Sequence, residues 1–227
     1  MIKEQNVAAD LTIPFQQCLK PEEIEEIRIN SNSVTHRNRE VLFRQNTRTS
    51  HIMFVRSGLV KVFKESKSHR SSLLKIATHG EYLGLDSVFG NKIHQYSAAA
   101  VNTCDIGYID INCFTGILKR NGEFAMSLIH AISEEGLFLL EKLLGQTHKQ
   151  LPGRIADVIL YFSDVIYKSP IFDFPLTRRE LAGMAGTTKE SFIRTLAEFK
   201  HDKIIDLDGR KVNINSMKII RTLSDLG

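Results

Sequence analysis

Lys189, Glu190, Ile193 and Arg194 fall at spacings that place them on adjoining outer faces of one helix. Their side-chain types suit the edges of DNA bases. An arginine can present two donors to guanine O6 and N7, a glutamate can accept from a cytosine amino group, and an apolar chain can touch a thymine methyl. Lys189 is cationic but lacks the planar fork of arginine. Glu190 and Arg194 are four residues apart and can orient one another, although a solvated surface pair has the same spacing. Arg178, Arg179, Thr188 and Ser191 lie nearby and suit phosphate oxygens, which give affinity more than sequence choice.

The elements that would hold these groups are legible around them. Thr177 and Glu180 form a capping box that starts a helix near Arg178. Gly186 supplies a tight turn, and Thr187 or Thr188 caps a second helix. On that helix Phe192, Leu196 and Phe199 point inward. Two short strand signals then flank Asp208-Gly209, a strong hairpin dipeptide, with Arg210 and Lys211 at its tip. A helix-turn-helix followed by a hairpin is a winged helix, with its second helix shaped for a major groove and Arg210 placed for phosphate.

Upstream, Leu151-Pro152-Gly153 is the clearest boundary, expected to stop a long helix and turn the chain, with a further helix at about 154–167. Residues 117–148 read as helical. Ala125, Ile129, Ile132, Gly136, Leu139, Leu143 and Gln146 repeat at spacings of four and three, the pattern of a seam buried between two helices. A second row, Leu128, Leu137, Leu140 and Leu144, runs beside it. The two rows predict a helix covered by a β domain on one side and a second subunit on the other. Across 34–110, short runs rich in Val, Ile, Phe and Tyr (40–44, 51–56, 59–64, 72–77 and 105–110) alternate with turn residues, as in a β-sandwich or barrel. Residues 21–28 form a short helix led by Pro21.

The 227 residues carry a formal net charge of +4, which permits nucleic acid as a partner without requiring it. The polar start and the lack of any roughly 18-residue apolar run predict a soluble, cytoplasmic chain without a membrane partner. Cys18, Cys104 and Cys113 are too few and too scattered for a disulfide framework or a C-x-x-C pair. Two rival readings remain. A metal-dependent β-roll enzyme needs clustered ligands, but His36, His51, His69 and His79 are dispersed and no catalytic motif is present. A winged helix that binds protein would lack steep, salt-dependent DNA affinity.

The string Arg179-Glu180-Leu181-Ala182, Gly186, Thr188-Lys189-Glu190-Ser191, Arg194 and Leu196 resembles the helix-turn-helix signature of the Crp/Fnr family of bacterial regulators. Residues 52–62 resemble that family's cyclic-nucleotide-binding β-roll, Gly80-Glu81-Tyr82-Leu83-Gly84 its pocket entry, and Gly153-Arg154-Ile155-Ala156 the start of its first C-terminal helix. The resemblance covers nearly the whole chain. It implies an α+β fold: a jelly-roll-like antiparallel β-roll (1–116), a long dimerisation helix (117–150) and a winged helix-turn-helix domain (151–227). It also implies base reading by Glu190 and Arg194 on an inverted-repeat operator bound by a homodimer, and contact with RNA polymerase if the protein activates.

The sensor half departs from the family pattern. Cyclic-AMP-binding members carry a Glu after the pocket glycine and a later Arg–Ser pair. Here Leu85 follows Gly84, and the pair aligns as Tyr96-Ser97. The adenine-contacting hydroxyls of the long helix align with Leu139 and Leu140. Cyclic AMP in the usual mode is therefore not expected. The effector pocket would be bounded by Gly80, Glu81, Gly84, Leu85, Tyr96, Ser97, Leu139 and Leu140. Only Cys18 lies near the N-terminus, so the family's four-cysteine iron–sulfur cluster is not expected. No histidine spacing specifies haem, and the effector is left open.

Overall fold

The computed structural model describes residues 13–65 and 71–227. The polar start and His69 lie outside the described residues. Helix α1 (Pro21–Ile29) leads into eight strands: β1 (Ser31–His36), β2 (Val41–Phe43), β3 (His51–Ser57), β4 (Val60–Glu65), β5 (Ser71–Ala77), β6 (Tyr82–Leu83), β7 (Ser97–Ala100) and β8 (Cys104–Asp110). Short helix α2 (Leu85–Phe89) sits between β6 and β7. The strands form two antiparallel sheets, ordered β1-β8-β3-β6 and β2-β7-β4-β5.

Alternation along β3 explains how the sheets are filled. Met53 and Val55 join Val60, Val62, Ala98 and Ile106 in one buried cluster, while Ile52 and Phe54 join Phe114, Phe124 and Leu128 of the helices in another. The ring of Phe54 lies against Gly107 on β8; a Cβ there would come within 2.3 Å of it. Strands β1, β6 and β7 carry no clear alternating signal. The Ala98-Ala99-Ala100 run of β7 is fully buried, where small side chains let the sheets approach.

The helical stretch is two helices, α3 (Ile111–Arg120) and α4 (Gly122–His148). Asn121 ends the first, and its side chain caps the second by accepting from the Phe124 amide at 2.9 Å. Leu151-Pro152-Gly153 does not stop the long helix as the sequence suggested. Helix α4 ends at His148, Lys149 is extended (φ −89°, ψ 145°), and α5 (Leu151–Leu160) begins at once. Proline is tolerated in a first helical turn, where its missing N–H has no intrahelical partner to lose. Beyond Leu160 the same rod widens into a π-helical segment, Tyr161–Tyr167.

Strand β9 (Ile171–Asp173), helices α6 (Arg178–Met184) and α7 (Lys189–His201), hairpin β10 (Ile205–Asp208) and β11 (Lys211–Ile214), and α8 (Met217–Leu226) complete the chain. Their sheet is ordered β10-β11-β9. The hairpin turn is Gly209-Arg210, one residue later than the Asp208-Gly209 expected from sequence, because Asp208 still pairs with Lys211. Leu73 and Ile76 of the β-roll belong to the same apolar cluster as Phe162, Leu181 and Phe192, so the two halves share a continuous core.

Candidate nucleic-acid interface and effector cavity

Helix α6 starts from a complete capping box. The Thr177 hydroxyl accepts from the Glu180 amide at 3.3 Å, and the Glu180 carboxylate accepts from the Thr177 amide at 2.9 Å. Caps of this kind stabilise a helix by about 1 kcal/mol. Gly186 turns the chain at φ +61°, in the left-handed region that favours glycine. Thr188 then caps α7, accepting from the Ser191 amide at 3.2 Å while its hydroxyl donates to Ser191 Oγ at 3.1 Å. Phe192, Leu196 and Phe199 are buried and lock α7 onto the domain core.

The opposite face of α7 is free. Lys189, Glu190, Ile193 and Arg194 are all exposed. No side-chain hydrogen bond or ion pair links Lys189, Glu190 or Arg194 to another described residue, so the Glu190–Arg194 side-chain pairing allowed by their spacing is not formed. Arg179 and Arg210 are likewise exposed. Arg178 is only half-buried. It donates through Nη2 to the Gly209 carbonyl at 2.5 Å, lies 5.3 Å from the centre of the Phe174 ring, and leaves Nη1 without a partner among the described residues. Burial, and then the neighbouring Arg210 charge, lower its pKa. Arg178 thus ties the start of α6 to the wing and brings its charge near that of Arg210.

On α4, one stripe faces the protomer's own body: Phe124 and Leu128 are buried, and Ala131, Glu135, Phe138 and Lys142 are half-buried. Ile129, Ile132, Gly136 and Leu143 are exposed; Ala125 and Leu139 are half-buried. The second row departs from expectation. Leu128 is covered, but Leu137, Leu140 and Leu144 are 57%, 51% and 47% exposed. The β-roll does not reach them because the inward stripe lies on the other side of the helix, so both apolar rows form one broad uncovered face.

A cavity of about 380 Å³ lies between β5, α4 and the π-helical segment. Gly80, Glu81 and Leu85 line it. Tyr96 and Ser97 instead fill the roll with internal bonds. The Tyr96 hydroxyl accepts from the Gly84 amide at 3.1 Å and donates to Asp86 at 3.0 Å; the Ser97 hydroxyl accepts from the Gln45 amide at 2.9 Å. Leu139 and Leu140 are not on the cavity wall; α4 contributes Ala131, Glu134, Glu135 and Phe138 instead. The sequence reading missed Lys75, whose ammonium lies 2.8 Å from Glu81 and 3.0 Å from Glu135. Burial opposes its charge, but the two carboxylates more than offset this and raise its pKa. A lysine inside the apolar run Leu73-Leu74-Lys75-Ile76-Ala77 was the available signal.

Comparison with known proteins accounts for this arrangement. Residues 33–121 match the cyclic nucleotide-binding domain, and residues 153–223 match the Crp-like helix-turn-helix domain. The chain is a Crp/Fnr family transcription regulator. This Crp/Fnr protein is 22% identical to the anaerobic regulatory protein of Pasteurella multocida over 95% of its own length and 80% of that protein. It is 24% identical to the transcriptional activator protein Anr of Pseudomonas protegens over 77% of its own length and 73% of that protein. Among solved structures, FixK2 from Bradyrhizobium japonicum superposes with a TM-score of 0.79 at 18% identity, covering 85% of this chain and 96% of that one. The c-di-GMP responsive regulator CLP of Xanthomonas campestris superposes at 0.72 and 18% identity, covering 87% and 100%. These likenesses show the fold of the Crp/Fnr regulator. No helix among the described residues is long and apolar enough to cross a membrane.

Proposed function

We propose that this regulator acts as a cytoplasmic homodimer joined along α4, which sets one α7 from each subunit into successive major grooves, about 34 Å apart, of an inverted-repeat operator. The observation that carries the reading is the outer face of α7. Lys189, Glu190, Ile193 and Arg194 stand exposed on a capped helix, with no polar side chain among them bonded to another described residue. Glu190 and Arg194 read base edges, Lys189 and Ile193 adjust the preference, and Arg178, Arg179, Thr188, Ser191 and Arg210 hold phosphates. The uncovered apolar face of α4 supports the dimer, since a contiguous exposed apolar surface of this kind marks an interface. The role is binding rather than catalysis. RNA polymerase is the further partner if the protein activates, as the name of the Pseudomonas relative says of that protein.

Cyclic AMP does not fit the cavity. Its phosphate needs a free cation, whereas Lys75 is already held by Glu81 and Glu135, Glu134 adds further negative charge, and Leu85 and Tyr96 bring none. Selection from a random DNA pool, with and without cyclic AMP, tests the whole reading. An inverted repeat enriched equally in both is expected. Enrichment only with cyclic AMP would overturn the account of the cavity, and no enrichment in either would overturn the account of α7.

A further inference from the structure

A second cavity, of about 310 Å³, lies between α4, α5, α6 and α8, and one of its walls is Lys142. This amine has an unusual setting. Nζ donates to the carbonyls of Leu73 at 2.9 Å and Leu74 at 2.8 Å, on the edge strand β5. No carboxylate among the described residues forms an ion pair with it. The other lysine of the cavity, Lys149, forms an ion pair with both oxygens of Asp157 at 2.7 and 2.9 Å.

Two carbonyl acceptors fix the geometry of the free base. Neutral Lys142 keeps two N–H donors, one for each carbonyl, and its lone pair takes the remaining position. Lys142 thus lines open volume with its nitrogen held between two fixed acceptors. Burial without a counter-charge pushes the ammonium down to about 8. At about pH 7.5 this leaves on the order of a hundredfold more free amine than an ordinary lysine has. Arg154, also on the cavity wall, uses Nε and Nη1 on the carbonyls of Ala185 and Lys149, leaving Nη2 for an anion.

We propose that Lys142 is an acylation site that takes the acyl group of a small acyl phosphate. Nζ, having lost one proton to water, attacks the carbonyl carbon. The N–C bond forms, the C–O bond to phosphate breaks with its electron pair, and inorganic phosphate leaves, with the second amine proton passing to phosphate or solvent. The amide product has one N–H where the amine had two. Either Leu73 or Leu74 then loses its partner, and the acyl group enters the cavity between the β-roll and the DNA-binding half. The chemistry is independent of DNA binding and goes beyond it.

The test is to treat the full-length protein with acetyl phosphate and follow acetylation of each lysine by peptide mass spectrometry from about pH 6.5 to 10.5. Lys142 is expected to react at least tenfold faster near pH 7.5 than exposed Lys64, Lys119 and Lys218, and to level off above about pH 9 while theirs keep rising. The advantage is expected to vanish in the urea-unfolded chain. Labelling of Lys142 no faster than the exposed lysines, a rate that rises in parallel with theirs, or an advantage that survives unfolding would each overturn the proposal.

Discussion

The Tyr161 hydroxyl pairs with both backbone groups of Ile76, accepting from its amide at 2.9 Å and donating to its carbonyl at 3.0 Å. Strand β5 is a sheet edge, and one side chain from the DNA-binding half closes it as a neighbouring strand would. Lys61 of β4 adds an ion pair to Glu180 at 2.6 Å, linking the roll to the capping box of α6. The pose of the winged-helix half is thus tied to the β-roll by directional bonds as well as apolar contact.

Tyr161→Phe removes both bonds and leaves the Ile76 amide and carbonyl unpaired. A loss of about 1–3 kcal/mol is expected in chemical denaturation. Exchange of the Ile76 amide is expected to speed up. Unchanged exchange at Ile76 would show that the pair does not hold the domains together.

The wing makes a separate prediction. The exposed Arg210 side chain has no hydrogen-bond or ion-pair partner among the described residues and stands beside Arg178, a setting expected to favour phosphate over bases. Arg210→Ala is expected to weaken binding to all DNA sequences alike and to lower the salt slope by about one. A changed sequence preference with an unchanged slope would assign Arg210 to base reading.

Dimerisation through α4 is tested at Leu140, which is 51% exposed in the protomer. Leu140→Glu is expected to give monomers in sedimentation at concentrations where the parent is dimeric, while the secondary structure is kept. Phe124→Ala is the contrasting change. That ring is fully buried, and its loss should cost about 3–5 kcal/mol of stability. A dimer that persists in Leu140→Glu would move the interface elsewhere.

Much of this molecule was legible in advance, for identifiable reasons. The capping box at Thr177, the turn at Gly186 and the apolar triplet Phe192, Leu196 and Phe199 are local signals, and the structure shows each in the expected role. The core strands β3, β4, β5 and β8 announced themselves through Val, Ile and Phe. What escaped was tertiary. The alanine run of β7 is a strand only because the roll needs small side chains there. Leu151-Pro152-Gly153 opens a helix rather than closing one, since proline suits either side of a break. The cavity wall was mis-drawn for Leu139 and Leu140 because helix phase relative to the body is set by packing. Lys75 and Lys142 gain their character from carboxylates and carbonyls 6 to 69 residues away along the chain.

His94 is expected to make the roll acid-sensitive. It is 3% exposed, stacks on Phe43 with ring centres 3.9 Å apart, and has Nδ1 without a partner among the described residues. Burial lowers its pKa, with Asp86 partly opposing. The unfolded chain takes up this proton near pH 6.5 and the folded chain only below that. The unfolded state therefore binds more protons in that window, and stability falls as pH drops through it. His94→Gln is expected to flatten the decline in denaturation midpoint between about pH 7.5 and 5.5. An equally steep decline in the variant would place the acid sensitivity elsewhere.

The most direct measurement compares the parent protein and Arg194→Glu on the inverted repeat selected by the parent, with sedimentation confirming that the variant is folded and has the parent's oligomeric state. The Arg194 side chain is exposed and makes no hydrogen bond or ion pair to another described residue, so the fold should be untouched. Operator binding is expected to be abolished, by repulsion from phosphate and loss of the base contact. Binding that persists with the same sequence preference would contradict the assignment of α7 as the reading helix.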